Sequence, residues 1–497
     1  MSGTRLPAFH HPASEADVIA LVRKARSEGA LLRVRGSGHS VEDAIHAPRE
    51  GGASGQAALH LLLDRMIGVT FDDSTMRATV QAGCHLGRDP SDPAKSSTWD
   101  NGLFPQMDAR GWAVPDMGGI IHQSVGGFLS TGSAGGSLFN SIYDAIVGVR
   151  LVDGTGTVRT FHRDEGGADN PFHAVVPSMG LLGVITEVTF QCMPRYHVIG
   201  TEATFETGKS PVDLFSDGPT GFRAWAERTE HVRALWWPQR GVDRLTLWEG
   251  RRMQPEDYTA ETGTPDAFKP RRYELIEKIF GSREAAQTVA NKVFRTFGRL
   301  NPPPPRSGLS KLTDRALGRL FAPVIHSFLP TGRQGEKRFR DLWWKALPMD
   351  NDASDELLPT EFTEAWIPLE RAAEALATLR DHYRQGGFLA TGTHATEIYV
   401  AKKSPYWLSP SFSQDVLRID LFWFAKNEGR AERDFYPQHW KLLEPFSPRY
   451  HWGKHLPIAP AALRPRFPRW DDFLRLREKL DPDGVFLTPY WKERFGI

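Results

Sequence analysis

Three glycine-rich stretches carry the chain's most chemically suggestive residues. Arg33-Val-Arg35-Gly36-Ser37-Gly38-His39-Ser40 follows a short apolar run. Its glycines let the backbone approach an anion, and successive N–H groups can cradle a pyrophosphate. It has neither the Lys-Ser/Thr pair of a Walker A loop nor the spacing of G-x-G-x-x-G. Asp116 to Gly136 holds seven glycines in twenty-one residues, too many for turns alone, which suggests backbone laid against a large flat ligand. Ser178-Met-Gly-Leu-Leu-Gly-Val-Ile-Thr-Glu-Val188 leads through glycines into a buried strand.

These loops need elements to hold them. Val18, Leu21, Val22 and Ala25 share one face of a helix over Ser14–Ser27, which Ser14 and Asp17 cap and Gly29 ends. Leu31–Arg35, Ala58–Leu63, Gly68–Phe71, Arg77–Gln81 and Val184–Cys192 read as short strands. Ile146–Val152 and Thr157–His162 read as a hairpin about Asp153-Gly-Thr-Gly156. Residues 200–265 read as strands and loops, with Ala234–Trp237 and Leu245–Trp248 as apolar centres. Helices are expected over Arg272–Phe297 and Leu312–Leu329, separated by four prolines within Asn301–Arg306. Glu361–Pro368 reads as a strand, Leu369–Arg384 as an amphipathic helix, Glu397–Val400 and Arg418–Phe424 as strands, and 470–497 as helix.

Composition narrows the class. Of 497 residues 40% are apolar and 24% charged, an ordinary globular balance. A net charge of +1 excludes a nucleic-acid footprint spread over the whole chain. Cys84 and Cys192 are too few for a disulfide framework or a four-sulfur metal site, and both read as structural. His10-His11, His451 and His455 lack an evident partner set, so no metal is expected. No signal-like N-terminal segment or 18-residue apolar run occurs, so a soluble cytoplasmic enzyme is expected. The near-zero charge hides an asymmetry, since Ala267–Lys345 holds 17 Lys and Arg against 6 Asp and Glu. With its apolar helical faces, that stretch suggests weak peripheral contact with an anionic membrane or an acidic substrate.

In this order and spacing, the three glycine stretches and Val80-Gln-Ala-Gly83 resemble the FAD-binding domain of the vanillyl-alcohol oxidase superfamily, also called the p-cresol methylhydroxylase (PCMH) type. The resemblance spans about residues 12–195. Glu364-Ala-Trp-Ile-Pro368, His451-Trp-Gly-Lys454 and Leu476-Arg-Glu-Lys-Leu-Asp-Pro-Asp-Gly-Val-Phe-Leu487 resemble the C-terminal region of aldonolactone and alditol oxidases. The implied fold is α+β: a discontinuous two-subdomain FAD-binding domain plus a mixed α/β substrate-binding cap domain. The implied divisions are 1–195 for FAD, 196–455 for the cap with a basic insert at about 267–345, and 456–497 returning to the FAD domain.

The same resemblance implies roles for residues. FAD contacts fall at Arg35, Gly36, Ser37, Gly38, His39, Ser40, Gly118, Ser124, Gly126, Gly127, Ser130, Gly132, Ser133, Gly135, Gly183, Val184, Ile185 and Lys454. His39 stands where covalent members bond a histidine ring nitrogen to the flavin 8α-methyl carbon. Oxidising an alcohol requires a base for the O–H proton and a C–H directed at flavin N5. Glu397 matches the subfamily's pocket glutamate and Lys454 its lysine, and these are the catalytic candidates. Ser124, Tyr399, Asp420 and Phe422 are the substrate-facing candidates.

Departures from the pattern concern the substrate. Glu397-Ile-Tyr399 stands where alditol oxidases have Glu-Ile-Arg, and Asp420-Leu-Phe422 where they have His-x-Thr. Thr131-Gly-Ser-Ala134-Gly stands in place of Thr-Gly-Thr-His-Gly. Losing polar partners costs roughly 1–3 kcal/mol for each substrate hydroxyl left unpaired, which argues against a simple alditol or aldonolactone. The expected activity is FAD-dependent oxidation of a CH–OH group in a small-molecule alcohol, with O2 as acceptor and H2O2 as product. The alternatives are a tailoring oxidase or dehydrogenase of a natural product or lipid-linked sugar, and a catalytically silent flavoprotein. Nothing in the sequence sets an assembly state.

Overall fold

The computed structural model describes residues 8–48, 57–239, 242–254, 333–349, 360–386, 395–424, 429–457 and 459–497, with scattered residues between 256 and 331. The helices expected over Arg272–Phe297 and Leu312–Leu329, the proline run and most of the basic stretch 267–345 lie outside the described residues.

The first helix, α1 (Glu15–Ser27), is capped as its sequence dictates. Ser14 Oγ accepts the Asp17 N–H at 3.2 Å, and the Asp17 carboxylate accepts the Ala13 N–H at 3.0 Å. Val18, Val22 and Ala25 turn one buried face toward a small parallel sheet. That sheet has the order β1 (Phe9–His10), β3 (Ala58–Leu62), β2 (Leu31–Arg35). β2 ends at Arg35, so the Gly36–Ser40 loop leaves directly from its C-terminal end.

A five-stranded antiparallel sheet stands beside it. It comprises β4 (Val69–Asp72), β5 (Arg77–Gln81), β6 (Ile146–Val152), β7 (Val158–His162) and β8 (Val184–Gln191), in the order β4-β5-β8-β6-β7. Between β5 and β6 runs the second glycine stretch, which forms the short helix α2 (Val125–Thr131). Ser124 caps α2, its Oγ accepting the Gly127 N–H at 3.4 Å.

The remainder builds an eight-stranded antiparallel sheet from β9 (His197–Glu206), β10 (His231–Trp237), β11 (Arg244–Arg252), β12 (Gly335–Leu342), β13 (Thr360–Pro368), β14 (Thr396–Ala401), β15 (Val416–Phe424) and β16 (Arg449–Tyr450). Their spatial order is β12-β9-β11-β10-β14-β15-β13-β16. After one 3₁₀ turn at Leu369–Arg371, α3 (Ala372–Gly386) buries Ala372, Ala375, Leu376, Leu379 and Tyr383 at helical spacing. Two expectations are corrected. Residues 200–265 include a helix, Phe222–Arg228, which no side-chain cap announces. The segment 470–497 is two helices, α4 (Trp470–Leu480) and α5 (Pro489–Phe495), separated by an irregular link.

That link stitches the far end of the sequence to its beginning. The Leu32 N–H donates to Val485 O at 2.8 Å, Gly154 N–H to Leu480 O at 2.8 Å, and Trp491 Nε1–H to Ala44 O at 3.1 Å. The buried Asp481 carboxylate holds the link by accepting the Val485 and Phe486 N–H groups. No helix among the described residues is long and apolar enough to cross a membrane. Trp491 is only 1% exposed. Trp491→Ala is expected to cost about 3–5 kcal/mol. A urea or thermal unfolding curve indistinguishable from wild type would show that the C-terminal helix does not secure the β2 loop.

Candidate active site

One cavity of about 370 Å³ runs from the Gly36–Ser40 loop, past the 116–136 glycine stretch, to the inner face of the eight-stranded sheet. Side-chain alternation decides what that face presents, because every second residue of each strand points inward. The register aligns three ranks across β10, β14, β15 and β13. The first contains Arg233, Tyr399, Arg418 and Trp366, with Tyr399 opposite Arg418 and Arg418 opposite Trp366. The second contains Leu235, Glu397, Asp420 and Glu364, each opposite the next. The third contains Trp237, Phe422 and Phe362, the last two directly opposed.

The middle rank sets three carboxylates side by side, all buried. Cations from two directions hold them. Arg418 Nε donates to Glu364 Oε1 at 2.7 Å, and Lys454 Nζ lies 2.9 Å from Glu364 Oε2. Lys454 also donates to Asp420 Oδ2. Asp420 Oδ1 is buried with no hydrogen-bond partner among the described residues. Tyr399 donates its O–H to Glu397 Oε2 and lies 2.9 Å from Met349 Sδ. The Arg418 guanidinium sits 4.6 Å from the Trp366 ring centre and 4.9 Å from that of Tyr399.

Charge states follow from these contacts. Burial works against the Glu364 charge, but Arg418 and Lys454 hold its carboxyl well below the usual carboxylate range. Burial also opposes the Lys454 charge, yet Asp420 and Glu364 keep its ammonium protonated above the ordinary lysine range. Asp420 is pushed up to about 7 by burial, with the charges of Glu364 and Glu397 reinforcing the rise against Lys454. His451 is pushed down to about 3, chiefly by burial, so its ring is neutral at neutral pH. The Gly453 N–H donates to His451 Nδ1 at 3.1 Å, leaving the ring hydrogen on Nε2, 3.2 Å from Ser133 Oγ.

The opposite wall is built for close approach. A Cβ on Gly36 would lie 2.6 Å from Ser124 Oγ, so only glycine fits where the loop crosses the start of α2. Gly38 adopts φ +80°, which glycine alone takes without strain. Arg35 Nη1 is buried beside this loop with no hydrogen-bond partner among the described residues. His39 borders the same end, its ring centre 5.6 Å from that of His122. Val41 N–H donates to Gly453 O at 2.9 Å, tying the loop to the Lys454 segment.

Every site candidate named from the sequence lines this cavity except Gly132. Gly132 instead ends α2 at φ +79° and packs near Pro177 and Pro410. Ser124 is accounted for locally as the α2 cap. Sequence reasoning missed Glu364, Arg418, Arg233, Trp237, Phe362 and His451 as lining residues. Glu364 and His451 stood in quoted motifs, and strand parity with Asp420 and Phe422 marks Arg418. His455, read as lacking partners, has Nε2 2.9 Å from Glu361, and Glu432 completes a set of three possible ligand atoms within 4.8 Å.

Residues 353–494 match the family model for D-arabinono-1,4-lactone oxidase, and residues 7–88 and 98–162 match that for an FAD binding domain. The chain belongs to the vanillyl-alcohol oxidase superfamily of FAD-linked oxidoreductases. Among members of this superfamily, it is 25% identical over 493 residues to L-gulono-1,4-lactone dehydrogenase of Mycobacterium tuberculosis, covering 98% of this chain and 96% of that protein. It is 23% identical over 491 residues to L-gulonolactone oxidase of Mus musculus, covering 98% and 94%. A cholesterol oxidase from Brevibacterium sterolicum shares the superfamily fold, with a TM-score of 0.66 at 13% identity over 98% of this chain and 93% of that one.

The buried ion network yields a stability prediction for this superfamily member. Arg418→Met removes one of the two cations on Glu364 and is expected to destabilise by about 3–5 kcal/mol. Adding Glu364→Gln to that variant should recover part of the loss, because the stranded charge is gone. Denaturant unfolding of the two single variants and the double variant checks this. Strictly additive losses would mean that the pair does not act as a unit.

Proposed function

We propose that the protein oxidises a CH–OH group of an alcohol with FAD as the bound acceptor and dioxygen as the final one, releasing hydrogen peroxide. The observation that carries this reading is continuity: the Arg35–Ser40 loop and the Glu397–Asp420–Lys454 cluster are walls of one cavity. FAD fits the first wall. The partnerless Arg35 nitrogen and the side-chain-free approach at Gly36 suit a pyrophosphate, and the 118–135 glycines suit a flat ring. In this reading Arg35, Gly36, Ser37, Gly38 and Ser40 hold the phosphates. Gly118, Ser124, Gly126, Gly127, Ser130, Ser133, Gly135 and Gly183–Ile185 line the rest of the cofactor. Residues 1–195 and 456–497 form its domain, and 196–455 form the cap. Bound there, FAD supplies the two-electron acceptor for the hydride released as the alcohol becomes a carbonyl.

The chain's own residues manage the proton. Asp420 Oδ1, the oxygen that Lys454 leaves uncovered, takes the hydroxyl proton of the substrate. Lys454 stays charged throughout and stabilises negative charge that develops on the substrate oxygen and beside it. Glu397, fixed by the Tyr399 hydroxyl, orients the hydroxyl-bearing carbon. Retention of Glu397 and Lys454 favours catalysis over a silent flavoprotein.

Three outcomes test the reading. Asp420 must be ionised to accept a proton, so the rate of flavin reduction should rise with pH through about 7 and level off above it. Asp420→Asn should erase that limb and lower the rate by roughly 10²-fold or more. A variant with the wild-type rate and profile removes Asp420 from the mechanism. Lys454→Ala and Glu397→Gln should each slow anaerobic flavin reduction by about 10²-fold in stopped flow, and undiminished rates would refute their roles. His39, beside the Arg35 end of the cavity, is proposed to bond FAD covalently. Acid-precipitated wild type should keep yellow flavin in the pellet and His39→Ala should lose it. Flavin freed from wild type by acid would overturn the covalent bond.

A further inference from the structure

The third rank of the sheet face lies one step along the strands from the carboxylates, where β13 begins. Phe362 and Phe422 are opposite each other there, with ring centres 4.8 Å apart in an edge-to-face pair. Trp237 occupies the same rank on β10, and Leu235 stands next to Glu397 in the rank behind it. All four line the cavity. A substrate whose reacting carbon sits by Asp420 and whose body runs toward the start of β13 lies against these side chains.

The polar groups around them are already engaged. Glu364 has one oxygen on Arg418 and the other on Lys454. Lys454 divides its hydrogens between Glu364 and Asp420, and Arg418 Nη1 is turned away to Ala134 O and Gly135 O. Of this network Asp420 Oδ1 is left to take the reacting hydroxyl, with Glu397 and Lys454 at the same carbon and none of these three in the Phe362–Phe422 rank. Further hydroxyls would be buried against aromatic carbon, where each unpaired group loses binding.

Resting on the reading above, we propose that the substrate is an alcohol with a single hydroxyl at the reacting carbon and an apolar carbon body lying against Phe362, Phe422 and Trp237, rather than a polyol or sugar lactone. Each methylene buried in that collar is expected to raise the specificity constant about fourfold until the collar is filled.

The test uses the flavin-loaded protein and three probe sets: the straight-chain primary alcohols from butanol to octanol, benzyl alcohol, and the polyols xylitol and L-gulono-1,4-lactone. Anaerobic flavin bleaching gives the second-order reduction rate for each. The rise in Tm with each compound reports binding without turnover. The expected result is a rate and a Tm shift that climb with chain length, with octanol exceeding xylitol by at least 10²-fold. Phe422→Thr and, independently, Phe362→Thr should flatten the chain-length slope while sparing butanol more than octanol. A flat or falling slope, with xylitol or the lactone bleaching the flavin faster than octanol, overturns the apolar substrate and leaves the alcohol-oxidising activity standing. Bound flavin that no compound of any set bleaches overturns that activity and this inference together.

Discussion

Glu364 keeps its charge with none of its side chain exposed, and two cations from different parts of the chain make that tenable. Arg418 arrives from the neighbouring strand and Lys454 from the segment after β16. Each has a second obligation. Arg418 also donates to the carbonyls of Ala134 and Gly135, so the sheet is docked on the glycine-rich stretch through the same guanidinium. Lys454 follows Gly453, whose carbonyl accepts from Val41 just beyond the Gly36–Ser40 loop. Removing the Glu364 charge would therefore loosen both seams of the cavity at once. Buried ion clusters of this kind seldom add net stability, so their value lies in fixing one arrangement out of several.

That arrangement changes how the departures from the family pattern read. Tyr399 stands where the resemblance to alditol oxidases implies an arginine, and taken alone this looks like the loss of a cation. Across the ladder, however, Tyr399 faces Arg418, and the guanidinium lies over its ring. Positive charge stays in the rank but arrives from the adjacent strand, committed to Glu364. Asp420 likewise brings a carboxylate beside two others, and the crowding of like charges, with burial, is what carries its carboxyl toward neutrality.

The front of the chain was largely legible because its signals are local. Ser14 and Asp17 cap α1 within one turn, Arg77–Gln81 was read to the residue, and the hairpin after Ile146 turns where its glycines stand. The glycine stretches marked one wall of the cavity for the same reason. The sheet behind the other wall was harder, since its pairings are distant. Leu235 meets Glu397, more than 150 residues away, and Glu364 meets Asp420 across α3. Short local motifs could nominate Glu397 and Lys454 through likeness. Only the register shows that Glu364, Arg418 and Asp420 share one network, or that Phe362 stands against Phe422. The helix Phe222–Arg228 went unseen because it is two turns long and begins at Gly221 without a capping side chain.

The link between α4 and α5 has a consequence for the order in which the protein can be assembled. Leu32 and Gly154 find their backbone partners in residues 480–485, and Ala44 finds its own in Trp491. During synthesis β2 and the loop after it emerge more than 400 residues before those partners do. The cradle at Gly36–Ser40 is therefore held by its full set of contacts only once the segment through Trp491 has cleared the ribosome. Maturation of the site is in this sense a late event, and a chain stalled before residue 480 would carry the whole glycine-rich wall without the clasp that shapes it.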